Sequence, residues 1–102
     1  MKMGEYLYAI TVKTLIGERQ GELALNSLKG ACSGTLGLLG MINAISGNIR
    51  QDGEGMVDGT LKTLLRSLPF TAKGSFTEDA LKLKLTCGKR TYDVYGRRKE
   101  GR

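Results

Sequence analysis

Histidine and tryptophan are absent from this chain of 102 residues, and proline occurs once. Without histidine the chain lacks the side chain that most often serves as a base near neutral pH. With only Cys32 and Cys87 as soft ligands, it also lacks the donors of a usual zinc site. Met1-Lys2-Met3-Gly4 leads directly into Glu5, and no long apolar run follows. Neither a leader nor a spanning segment is therefore expected, no membrane partner is expected, and the expected compartment is the cytoplasm. Both cysteines are expected there as free thiols, packed as small apolar residues. Carboxylates are scattered over expected turns and outer faces, with Asp58 facing solvent and Glu78-Asp79 in a turn. No glycine stretch joins a strand to a helix as a phosphate cradle requires. These deficits exclude the common catalytic designs, so no enzyme, cofactor or metal is expected.

Glycine is what the chain has in quantity, 15 residues against the one proline, and the net charge is +6. Glycine without proline points to bent strands and tight turns rather than to disorder. A chain of this length forms one domain, 1–102, with a core small enough that closing a sheet or covering a face would help it.

Hydrophobic residues recur with a period of two almost throughout. Tyr6, Tyr8, Ile10 and Val12 share a face in the first predicted strand, 5–14, and Gly21, Leu23 and Leu25 in the second, 19–26. Cys32, Gly34, Leu36 and Leu38 follow in the third, and Ile45, Gly47 and Ile49 in the fourth. Helix competes for Leu36 to Ile45, but four glycines between Gly30 and Gly40 oppose it at about 1 kcal/mol each in a helix interior. Gln51-Asp52-Gly53-Glu54-Gly55 is a hairpin signal. Beyond it, Val57, Gly59 and Leu61 mark a fifth strand, and Leu68, Phe70, Ala72, Gly74 and Phe76 a sixth. Leu81, Leu83, Leu85 and Cys87 mark a seventh, Tyr92, Val94 and Gly96 an eighth, and 97–102 reads as a frayed tail.

Thr11-Val12-Lys13-Thr14-Leu15-Ile16 returns as Thr60-Leu61-Lys62-Thr63-Leu64-Leu65, and at the same offset Gly47 meets Gly96. This suggests two similar four-stranded halves, about 5–50 and 54–99. Eight short strands with regular turns define a sandwich or a barrel, and glycines on the apolar faces favour the sharply bent, closed form. The expectation is an all-β, eight-stranded antiparallel up-and-down barrel.

Val12-Lys13-Thr14 with Gly17, Gly21-Glu22-Leu23, Ser33-Gly34-Thr35-Leu36, Gly59-Thr60-Leu61-Lys62-Thr63 and Pro69-Phe70 with Gly74 form, with Gly96-Arg97-Arg98, a frame. It resembles that of small bacterial lipocalin-like (calycin-type) eight-stranded β proteins, mostly of unassigned function. The resemblance implies a fold and little chemistry. Those relatives often carry Thr-Pro-x-Gly at the two repeated turns, where this chain has Thr14-Leu15-Ile16-Gly17 and Thr63-Leu64-Leu65-Arg66.

In such a barrel the turns after odd-numbered strands share one end. That rim carries Leu15, Ile16, Leu39, Met41, Ile42, Leu64 and Leu65, and the opposite end is polar. About six such side chains left in water forgo on the order of 10 kcal/mol of burial. Two kinds of partner are therefore expected for the rim. One is a small hydrophobic molecule held in the barrel, with Tyr8, Phe70 and Tyr92 as candidate lining. The other is a protein surface, above all a second copy in a dimer. Lys82, Lys84, Lys89, Arg90, Arg97, Arg98, Lys99 and Arg102 gather in the last strands and tail. Nucleic acid is the less favoured partner for them, because Tyr95 is the only outward aromatic among these charges.

Overall fold

The structure is a computed structural model that describes residues 4–15, 17–38, 40–62, 65 and 67–99. Eight antiparallel strands close into a barrel in sequence order: β1 (Gly4–Thr14), β2 (Gly17–Leu28), β3 (Ala31–Leu38), β4 (Met41–Ile49), β5 (Glu54–Lys62), β6 (Ser67–Phe76), β7 (Ala80–Cys87) and β8 (Arg90–Arg98). The period-two pattern becomes the inside and outside of this tube. Tyr6, Tyr8, Ile10 and Val12 of β1 are buried, as are Leu81, Leu83 and Leu85 of β7, with exposed lysines between the leucines. Residues 36–38 and 41–45 are strand, as the glycine argument requires.

Stagger in the strand pairing explains how so many glycines are used. Leu25, Gly34, Ile45, Gly59, Phe70, Cys87 and Arg90 pair in turn across β2 to β8. Four residues beyond Arg90, Val94 pairs with Val12, which pairs with Arg19, six residues short of Leu25. One circuit thus closes ten residues out of register, four along β8 plus six along β2. Such a stagger tilts the strands and leaves an eight-stranded interior just wide enough for side chains to fill. Within the row, glycines alternate with Leu25, Ile45 and Phe70. A Cβ on Gly59 would come 3.1 Å from Ile45 and 3.3 Å from the Phe70 ring, and one on Gly34 only 1.8 Å from the Ala24 carbonyl. The missing side chains make room both for their large neighbours and for the bend.

The inward side chains form one buried cluster, which Leu61, Cys87 and Tyr92 join with partial burial. Cys32 and Cys87 are free thiols on strands that do not pair. The chain departs from expectation at its end. Arg97 and Arg98, read as a frayed tail, belong to β8, because pairing with Ala9 and Tyr8 of β1 is what closes the barrel. The Lys99 amide continues that seam by donating to the Leu7 carbonyl at 2.8 Å. Residues 100–102 lie outside the described residues.

Candidate functional site at the apolar end

Two hairpins run past the body of the barrel at the end where β1, β3, β5 and β7 finish. Gly17 to Gly21 pair only with β1, since β2 meets β3 first at Glu22 and Gly37. Thr60, Leu61 and Lys62 pair only with β6, whose Ser67, Leu68 and Pro69 precede its first β7 partner at Phe70. These two arms are four strands apart, on opposite sides of an eight-stranded tube. Leu15 on the first arm is 88% exposed and Leu65 on the second 93% exposed, and Ile42 beside the β3–β4 turn is 75% exposed. Met41 is half-buried at the start of β4. Ile16, Leu39 and Leu64, expected in the same rim, lie outside the described residues.

Asn43 sits beneath this rim and was not picked out as a candidate from the sequence. It is 1% exposed and faces inward, in phase with Ile45 and Ile49. Its Nδ2 donates to the Leu36 carbonyl at 3.1 Å, and its Oδ1 accepts from the Lys62 amide at 2.9 Å. One side chain therefore joins β3, β4 and β5 at the point where the β4–β5 ladder has already ended at Ile45 and Gly59. The signal was present as a polar residue in a strict inward phase.

Tyr8 and Phe70 belong to the one buried cluster, against which Tyr92 packs, and they come from β1, β6 and β8 respectively. Tyr8 is fully buried, stacks on Tyr6 with ring centroids 6.5 Å apart, and donates its hydroxyl to the Thr77 carbonyl at 2.5 Å, toward the opposite end. Burial, ahead of the neighbouring Tyr6, pushes the Tyr8 phenol up to about 12, so it is a neutral donor at physiological pH. Phe70 is buried in the row described above, and Tyr92 is half-buried against the cluster. Burial also raises the Cys32 thiol above its ordinary range, which keeps it protonated and unreactive.

The end opposite the rim is polar, though Leu28 there is 60% exposed. The β4–β5 turn is held by Asp52, whose carboxylate accepts the Glu54 amide at 2.9 Å and meets Arg50 at 3.0 Å. The amide bond first, then Arg50, holds this carboxyl below its usual range. On the outer face of β7, β8 and β1, Tyr95 is 38% exposed, with Lys13 and Lys82 ammonium groups 5.3 and 5.9 Å from its ring centre. Lys84 and Asp93 pair beside it at 2.8 Å. An open concavity runs over the outer faces of β8, β1, β2 and β3, lined among others by Leu7, Ala24, Ser33, Thr35 and Arg98. Among the described residues, no three His, Cys, Asp or Glu side chains converge to hold a metal ion, and no helix is long and apolar enough to cross a membrane.

Fold and site together define a class, a small closed β-barrel of eight strands with one end fringed by exposed aliphatic side chains. Compared with known proteins, the chain matches no family model, and no curated protein or solved structure is significantly similar to it.

Proposed function

We propose that this protein is a binding module without enzymatic chemistry, working through the apolar rim of Leu15, Met41, Ile42 and Leu65. The observation that carries the reading is the near-complete exposure of Leu15, Ile42 and Leu65 on separate hairpins at one end. Single exposed aliphatic side chains are ordinary, but three at one end of the barrel, two of them on hairpins that outrun it, support a contact surface. On apolar character alone, the rim is open to a hydrophobic ligand or a second copy of the chain in a dimer. A ligand would lie among the hairpin tips, because the barrel's own side chains pack its inside. The free thiols of Cys32 and Cys87 support a cytoplasmic setting.

The double variant Leu15→Asp, Leu65→Asp tests the rim. Wild type should be retained on a phenyl matrix and brighten an apolar dye, and the variant should lose both at unchanged circular dichroism. Equal retention and dye response in the two proteins would remove the rim as a binding surface. Light scattering across concentration then separates the occupants, since only self-association raises the mass of wild type above that of one chain.

A further inference from the structure

The charges around the rim differ in kind from those at the other end. Lys13, Arg19, Lys62, Lys89 and Arg90 are all exposed on the strand ends and turns that carry the rim, against two acids among the described residues there, Glu18 and Asp93, which both stand opposite Lys13. At the opposite end Glu5, Asp52, Glu54, Glu78 and Asp79 balance Lys29, Arg50, Arg98 and Lys99. The exposed aliphatic tips thus stand among a net excess of basic side chains, the collar of this end, while the far end is near neutral.

This asymmetry discriminates between occupants. Two copies meeting rim to rim would bring two surfaces of the same net sign within the screening length of about 8 Å at physiological salt, and the bases there outnumber Glu18 and Asp93. A small neutral ligand would leave the collar without a role. A surface that is apolar beneath and negative above matches both features at once. We propose that the occupant of the rim is an anionic lipid surface, with Leu15, Ile42 and Leu65 entering the headgroup layer and the collar resting on lipid phosphates and carboxylates. This rests on the rim reading above and names its partner. The contact is peripheral and needs no spanning segment, so the lack of a long apolar run does not bear on it. The barrel itself does not span, because its strands turn apolar side chains inward and Lys73, Lys82 and Lys84 outward, the reverse of a lipid-facing barrel.

Vesicle co-sedimentation of the intact chain tests this, with phosphatidylcholine alone against phosphatidylcholine containing phosphatidylserine, at low and high salt. Partition onto the anionic vesicles should exceed that onto neutral ones by about tenfold and fall several-fold at high salt. Leu15→Asp with Leu65→Asp should abolish it, and so should Arg19→Glu with Lys89→Glu and Arg90→Glu, both sets keeping wild-type circular dichroism. Failure to sediment with anionic vesicles while the phenyl matrix still retains the protein overturns the lipid assignment and leaves the rim. Loss of phenyl retention as well removes both. Sedimentation that survives the leucine variant, or that a single-stranded oligonucleotide abolishes equally in wild type and leucine variant, overturns the proposal in favour of a charge-only contact. Self-association without vesicle binding overturns it in favour of a second copy.

Discussion

Asn43 shows how one polar side chain can hold a seam that strand pairing leaves open. Its amide satisfies a carbonyl on β3 and an amide on β5 while it sits fully buried among aliphatic neighbours. Among the described residues no buried side-chain polar atom lacks a partner, so the barrel tolerates this polar insertion without an unpaired group. Asn43→Ala would leave the Leu36 carbonyl and the Lys62 amide without their side-chain partner, at a cost of about 1 to 3 kcal/mol each when buried. We expect a loss of about 2 to 4 kcal/mol by urea unfolding, with the rim end losing amide-exchange protection first. A loss under about 0.5 kcal/mol would mean that water replaces the side chain and that the seam is not sealed by Asn43.

Strand pairing sets the next scale, and on the outer faces of β6, β7, β8 and β1 it assembles a row that no single segment contains. Lys73 stands directly opposite Lys84, Lys84 opposite Asp93, and Asp93 opposite Lys13. Asp93 is bonded to Lys84 and is held below the usual carboxylate range by that contact. Lys73 and Lys84 remain like charges across a ladder, an arrangement that is unfavourable by a few tenths to about 1 kcal/mol. Lys73→Glu should therefore raise the urea midpoint by an amount worth about 0.5 kcal/mol, and the gain should shrink in high salt. A lower midpoint would show that Lys73 makes a favourable contact that this pairing does not reveal. Both sides of this pair are exposed, so screening keeps the effect small.

Closure is a property of the whole molecule, and it depends on the last strand. β8 pairs with β7 along one side and with β1 along the other, through Val12 and Val94, Ile10 and Gly96, and Tyr8 and Arg98. A chain ending at Asp93 would lose most of the β1 ladder, expose two strand edges and uncover the buried cluster at Ile10 and Leu81, which Gly96 now approaches closely. Exposed edges of this kind invite association. The shortened chain should elute as aggregates and lose its cooperative thermal transition, whereas a chain ending at Lys99 should behave as the full protein does. A monomeric, cooperatively unfolding 1–93 fragment would show that the β1–β8 seam is dispensable.

Alternation was enough to read the apolar inward face of the strands, with glycines deciding 36–45, because a pleated strand that is wet on one side and dry on the other must alternate. Glycines in the inward phase were enough to read bending and closure, since only positions without a Cβ let backbones approach as Gly34 does Ala24. The apolar rim was legible too at Leu15, Met41, Ile42 and Leu65, because up-and-down order puts alternate turns at one end. Other features depend on register, the stagger between neighbouring strands, which is decided only when the sheet closes on itself. Register decided that Arg97 and Arg98 belong to the seam and that Asn43 meets Lys62. It also set Lys13, from the first strand, beside Tyr95 of the last, and it let two hairpins outrun the barrel and carry their leucines into solvent.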